Sequence, residues 1–240
     1  MLEELKKFYE LIKLKGVEWN IDPNEIPITF IHVFKKKYSR LLKIPLPKNN
    51  TRTKLEEILK LRESTREFSE EGLTLKDISK IINTSYKILD SSRIPERRTY
   101  PSAGGRFPIE LYLISYNIKD LEKGAYHYNI EDNLLEVLLR KNLDDRILEI
   151  CGTNIKNPAA TFVLTSVISR SEIKYWYKAL PFSYIEAGHI GQNIVLSAAE
   201  NNIGACPVSG FVDDTLIKIL DLTEGEIPVY TICVGKKKDL

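Results

Sequence analysis

Two β-rich runs, Gly124–Ile130 (GAYHYNI) and Leu134–Arg140 (LLEVLLR), are separated only by Glu131, Asp132 and Asn133. Such a pair with a short polar break reads as a hairpin. A hairpin set among helices breaks the regular strand–helix alternation that builds a doubly wound parallel sheet. The other strand-like runs agree. IELYLISY begins at Ile109, AATFVLTSVI runs from Ala159 to Ile168, and IPVYTICVG ends at Gly235. The second of these is continuous, apolar and rich in β-branched residues, the pattern of a strand buried on both faces. The fold class predicted is α+β.

Helices fill the gaps irregularly. Leu2, Leu5, Phe8, Tyr9 and Ile12 repeat near the helical period over residues 2–15. Thr53 with Glu56, and Thr74 with Asp77, are capping boxes that open two further helices. Leu75, Ile78, Ile81 and Ile82 form the buried stripe of the second. Short helices are expected over NLDDRILEIC and VDDTLIKIL, and the longest over residues 182–202, with Ala187, Gly188, Gly191, Ala198 and Ala199 giving it a small face. Pro23, Pro27, Pro45 and Pro47 interrupt residues 16–50. Within them ITFIHVF is a candidate short strand and KKKYSR a charged turn or helix. The chain therefore divides into an N-terminal extension, residues 1–50, and a main domain, residues 51–240. In the main domain, residues 90–107 form a long loop with no hydrophobic period, a length that is often functional.

Composition excludes several functions. There are 35 Lys and Arg against 33 Asp and Glu, a net charge of +2 and no electrostatic footprint for nucleic acid. No apolar run reaches the roughly 18 residues of a membrane span, and the N-terminus carries charges inside its apolar pattern, unlike a secretory signal. Three widely spaced Cys, at 151, 206 and 233, make neither a disulfide framework nor a metal knuckle, so a cytoplasmic location is expected. The three His are isolated and read as structural. No metal site, dinucleotide fingerprint or phosphate-binding P-loop is present.

Four segments could carry chemistry. Arg62, Ser64 and Arg66 place two forked cations and a hydroxyl within five residues, a phosphate-binding set or a solvated helix end. Pro101, Ser102, Ala103 and Gly104 expose backbone to a flat ligand or make a simple turn. The Glu186–Asn193 segment has a small face for packing. Pro207, Val208, Ser209 and Gly210 can present backbone N–H groups, and Lys236 and Lys238 lie in a basic tail.

Taken in order, RESTREF, LTLKDIS, PSAGGRFPIELYLI, GAYHYNIEDNLLEVL, EAGHIGQNIVLSAAENNIG, PVSGF and a final VG before basic residues resemble the nitroreductase family of FMN-dependent oxidoreductases, and within it the SagB-type dehydrogenase branch. The resemblance covers roughly residues 28–238, including ITFIHVFKKK, which is similar to a His-containing segment of that branch. It implies a nitroreductase-like fold with a central antiparallel sheet flanked by helices. It also implies an intertwined homodimer with FMN at the subunit interface and a terminal segment exchanged between subunits. Carried over by position, Arg62, Ser64 and Arg66 contact flavin. Pro101, Ser102, Ala103 and Gly104 reach the same flavin from the other subunit. Pro207, Val208, Ser209 and Gly210 line its ring, and Lys236 and Lys238 complete the phosphate site.

The resemblance further matches Lys174 and Tyr175, fifteen residues before His189, to a pair that deprotonates a substrate carbon in azoline oxidases of that branch. Burial can tune such a Lys toward neutral pH. The WYKALPF stretch that follows departs from the branch's pattern. Three activities follow from the resemblance. The first is ping-pong hydride transfer between NAD(P)H and a small acceptor such as a nitroaromatic or quinone. The second is SagB-like oxidation of an azoline or related ring, and the third is flavin binding without turnover.

Overall fold

The structure is a computed structural model that describes residues 3–16, 35–47, 51–152 and 154–238. Helix α1 is Glu3–Ile12, α2 is Lys54–Leu61 and α3 is Leu75–Ser85. Strand β1, Leu73–Thr74, directly precedes α3. β2 is Ile88–Asp90, β3 is Arg97–Arg98, β4 is Ile109–Ser115 and β5 is Ile118–Lys119. β6, Gly124–Asn129, and β7, Leu134–Arg140, form the expected hairpin. Helix α4, Ile147–Cys151, leads to β8, Ala160–Val167. Helices α5, Ser169–Tyr175, and α6, Ala179–Glu200, follow, then β9, Ile203–Val208, helix α7, Asp213–Ile219, and β10, Glu226–Lys236.

Six strands make the main sheet in the order β7-β6-β4-β8-β10-β9, every pairing antiparallel. The fold is α+β, as the hairpin requires. β8 lies inside the sheet between β4 and β10, and seven of its eight residues are buried. That explains its unbroken apolar run. Side chains alternate across the sheet. Leu111, Leu113, Phe162, Leu164 and Ile232 join the α3 and α6 side chains in one apolar layer. Tyr112, Ile114, Val163 and Cys233 join those of α4 and α7 in the other.

Both capping boxes are formed, with Thr53 accepting from the Glu56 N–H at 3.2 Å and Thr74 from the Asp77 N–H at 3.1 Å. The expected stripe on α3 needs one correction. Ile78, Ile81 and Ile82 are buried, but Leu75, at the first position of the helix, is 39% exposed. Helix α6 starts at Ala179, earlier than expected, because Pro181 in a first turn needs no intrahelical N–H partner. The loop at 90–107 is not irregular throughout: β2 and β3 pair across it, and Ala103–Gly105 makes one 3₁₀ turn. KKKYSR is irregular with a turn at 39–40, and ITFIHVF, with His32, lies outside the described residues.

Helix α1 docks on α7. Leu5 and Tyr9 are buried, the Tyr9 hydroxyl donates to Asp213 Oδ1 at 2.8 Å, and the Leu14 N–H donates to Oδ2 at 3.1 Å. Lys13 adds an ion pair to Asp214.

Candidate active site

The segment after α2 crosses the end of the sheet. The Thr65 N–H donates to the Ala205 carbonyl at 3.0 Å, and the Ser69 N–H donates to the Lys236 carbonyl at 3.0 Å. Ser64 bridges Ala205, and Phe68 bridges Lys237. This approach needs a strand without a side chain beneath it: a Cβ at Gly235 would stand 2.9 Å from Phe68. The first and last basic segments of the domain are thereby brought together. Lys237 and Lys238 pair with Glu63 and Glu67 at 3.2 and 2.9 Å. Among the described residues, the side chains of Arg62, Ser64 and Arg66 have neither an ion pair nor a hydrogen bond, and all three are exposed. The Thr65 hydroxyl beside them is buried without a partner. Two unpaired guanidinium forks and a free hydroxyl within five residues are donors of the kind a phosphate oxygen shell takes, whereas the Lys236 ammonium acts on Asp77 at the start of α3.

The Pro101–Gly104 segment opens a second cluster. Gly104 has φ +58°, a conformation that L side chains avoid. Its open side is filled by the end of α5: a Cβ there would meet the Tyr175 hydroxyl at 2.3 Å and Lys174 Nζ at 2.8 Å. The Lys174–Tyr175 pair is thus held against the loop that carries Ser102 and Ala103. The Lys174 ammonium lies 5.4 Å from the Tyr175 ring centroid, and Tyr175 meets Phe182 edge-on. Lys174 is exposed, not buried as the expected tuning requires.

Buried anchors hold this loop. Tyr100 stacks on Tyr86 with ring centroids 5.2 Å apart and meets Phe107 edge-on. The Ser102 hydroxyl accepts the Phe107 N–H at 2.8 Å, and Arg106 and Arg170 bond the carbonyls of Arg170 and Phe107 respectively. Arg170 also pairs with Glu110 at 2.5 Å, and Glu110 in turn bonds His127 at 3.2 Å. Burial tends to raise the Glu110 carboxyl, but His127 and Arg170 outweigh it and hold it low. The hydrogen bond to Glu110 raises His127, and Glu136 adds to it. His127 is thus held between two carboxylates, whereas His189 is exposed on α6, unlike the satisfied structural His expected there.

Pro207 and Val208 end β9, and the Val208 carbonyl accepts from Thr231 at 3.1 Å. Ser209 and Gly210 continue beyond the strand, and nothing lies within 4 Å of the Cβ position of Gly210. This segment belongs with the cation cluster, since the same strand bridges Ser64 at Ala205. Among the described residues, no hydrogen bond or ion pair joins that cluster to the Gly104 cluster.

Sequence reasoning missed Glu186. It is 3% exposed, its Oε1 has no hydrogen-bond partner, and burial pushes its carboxyl up to about 7 despite Ser102 and Arg98 nearby. The signal was present, because Glu186 stands four residues before Ile190 and eight before Ile194, on the buried stripe of α6. Among the described residues no group of His, Cys, Asp and Glu could hold a metal ion, and no helix is long and apolar enough to cross a membrane.

A family model for the nitroreductase family matches residues 59–236. The Methanocaldococcus jannaschii protein MJ1384, named as a nitroreductase, is 28% identical over 186 residues, covering 77% of this chain and 91% of its own. The microcin B17-processing protein McbC of Escherichia coli is 23% identical over 199 residues, covering 80% of this chain and 70% of its own. Among solved structures, the E. coli microcin synthetase McbBCD complex with truncated pro-MccB17 bound contains a similar chain. That match has a TM-score of 0.80 at 19% identity and covers 98% of this chain and 92% of the other. A nitroreductase-named structure from Ralstonia eutropha gives 0.68 at 24% identity, over 82% of this chain and 89% of the other. At these identities the structures carry the fold, and the family match carries the rest: this chain belongs to the nitroreductase family of oxidoreductases, on its SagB-type side.

Proposed function

We propose that the chain is an FMN-dependent oxidoreductase that works as a homodimer, with FMN held between subunits. One observation carries this reading: strand pairing seats the 62–69 segment on β9 at Ala205 and on the end of β10 at Lys236 and Lys237, while leaving the guanidiniums of Arg62 and Arg66 without an ionic partner among the described residues. In this reading Arg62, Ser64, Arg66, Lys236 and Lys238 hold the phosphate and ribityl end. Pro207, Val208, Ser209 and Gly210 line the ring, while Pro101, Ser102, Ala103 and Gly104 reach it from the partner subunit. Two apolar surfaces support the dimer. Ile173, Trp176, Tyr177 and Ile185 are 76%, 68%, 53% and 56% exposed around α5 and α6, and Leu55, Leu59 and Leu61 are exposed on or at the end of α2. Large apolar side chains left exposed on neighbouring helix segments are what a subunit interface would cover.

When bound, FMN supplies two-electron hydride chemistry; the protein positions the reactants and manages protons. On the first substrate reading, NAD(P)H and a small acceptor such as a nitroaromatic or quinone use one open face in turn. Turnover of NAD(P)H with an acceptor panel tests it, and no turnover in an FMN-loaded sample counts against it. On the second reading the substrate is an azoline or related ring. The seating of Lys174 Nζ and the Tyr175 hydroxyl against Gly104 favours this second reading. Oxidising such a ring removes one hydride and one proton, and in this reading the pair takes the proton once substrate and the partner subunit cover the lysine, which is exposed in the single chain. Lys174→Ala is expected to retain FMN and lose ring oxidation by roughly 100-fold or more. Unchanged oxidation would sink the assignment. The N-terminal residues 1–50 are read as an extension, and the protein as acting in the cytoplasm.

A further inference from the structure

We propose that Arg170 is a positioning residue: a reciprocal pair of bonds between it and the 101–107 loop holds α5, and with it Lys174 and Tyr175, against Gly104. Helix α5 needs such a hold. Of its seven residues only Ser171 is buried, and Ile173 is 76% exposed. A short helix with so little buried surface is not placed by apolar packing. Its start is fixed, because Ile168 is fully buried and its N–H donates to the Gly225 carbonyl at 3.1 Å. Tyr175 stands seven residues further on, roughly 10 Å along a helix. A small swing about Ile168 would therefore carry the pair off the loop. The edge-on contact of Tyr175 with Phe182 restrains the far end against α6 but gives no link to the loop.

Two bonds cross between loop and helix in opposite directions. Arg106 Nε donates to the Arg170 carbonyl at 2.6 Å, and Arg170 Nη1 donates to the Phe107 carbonyl at 3.1 Å. Adjacent loop residues are thus joined to one helix residue, once through its main chain and once through its side chain. Attachment at two points resists rotation as well as displacement. The receiving residue Phe107 is itself anchored, by the Tyr100 ring and by the Ser102 hydroxyl.

The sheet aims the guanidinium. Arg170 Nη1 also pairs with Glu110 Oε1 at 2.5 Å. This nitrogen carries two N–H groups, so one serves the Phe107 carbonyl and the other the carboxylate. Glu110 lies on β4, and its Oε2 is 3.2 Å from His127 Nε2 on β6. His127 Nδ1 is in turn 2.7 Å from Glu136 on β7. Bonds between ionised partners are the stronger kind, and here they run from three neighbouring strands to the start of α5. The clamp stands on these contacts alone. Its effect on turnover rests on the proposed reacting role of Lys174 and Tyr175.

Hydrogen exchange followed by mass spectrometry in the full chain tests it, on peptides covering residues 169–178 with β8 as the internal control. In Arg170→Ala the α5 amides should exchange roughly 10-fold faster or more while β8 is unchanged. Arg106→Ala removes the other arm and should also speed α5, and the double variant should exceed either single one. Unchanged α5 exchange in either single variant, or an increase shared equally by β8, overturns the proposal. Oxidation of the proposed ring gives the second readout. Arg170→Ala should lower kcat with KM little changed, since it displaces the pair and not the substrate. Faster α5 exchange with an unchanged kcat supports the clamp and counts against Lys174 and Tyr175 as the reacting groups.

Discussion

A methyl group at Gly104 would have no room, because its position is already held by the Tyr175 hydroxyl, and the +58° backbone would be strained as well. Gly104→Ala is expected to cost about 1–3 kcal/mol in denaturant unfolding and to push Tyr175 off the loop. Glu186 makes a second prediction of known sign. Its folded-state carboxyl is raised from 4.5 to about 7 by burial, so the native state binds the extra proton in that window. Stability therefore falls as pH rises between those values. Glu186→Gln should match the wild type near the lower end and gain roughly 1–3 kcal/mol over it above pH 7, by urea midpoints at each pH. No gain at the alkaline end would contradict the burial of an uncompensated carboxyl. Gly104 was readable in the sequence as a small residue in a long loop. What fills its vacant side was not, because Tyr175 lies seventy-one positions along the chain.

At the scale of elements, local chemistry was legible and tertiary anchoring was not. Thr53, Thr74 and the Glu131-Asp132-Asn133 break announced two helix starts and a hairpin, since each acts within a few residues. The 90–107 loop looked aperiodic because its anchors are set by ring contacts, Tyr100 on Tyr86 and Phe107 on Tyr100, and not by a repeat. Helix α1 shows the same limit. Of its apolar stripe Leu5 and Tyr9 are buried, Phe8 and Ile12 are exposed and Leu2 lies outside the described residues, and the Tyr9 hydroxyl bond to the buried Asp213 joins residues 204 apart. Tyr9→Phe should cost about 1–2 kcal/mol, because it leaves that carboxylate short of a donor. The loss should be absent in an Asp213→Asn, Tyr9→Phe double variant compared with Asp213→Asn alone if the two groups act only through each other.

At the scale of the whole molecule, one chain holds two clusters that no bond connects among the described residues: basic groups at the sheet end and the Gly104–Lys174–Tyr175 group. A dimer in which each subunit completes the other's site accounts for both. It also accounts for Trp176 and Ile173 left 68% and 76% exposed beside that second group. An Ile173→Asp, Trp176→Asp variant should sediment as a monomer and weaken FMN binding at least 10-fold, although neither residue touches the basic cluster. The net charge of +2 gave no hint of this, since the average hid Arg62, Arg66 and Lys236–Lys238 at opposite ends of the domain. The measurement that bears most directly on the account is an FMN titration of the full chain, followed by flavin absorbance and fluorescence, beside an Arg62→Ala, Arg66→Ala variant. The account predicts one FMN bound per subunit, with affinity reduced by roughly 100-fold in the variant, as expected for losing two charge-assisted forks to phosphate. A folded wild-type chain that takes up no FMN, or a variant that binds it equally well, would contradict it.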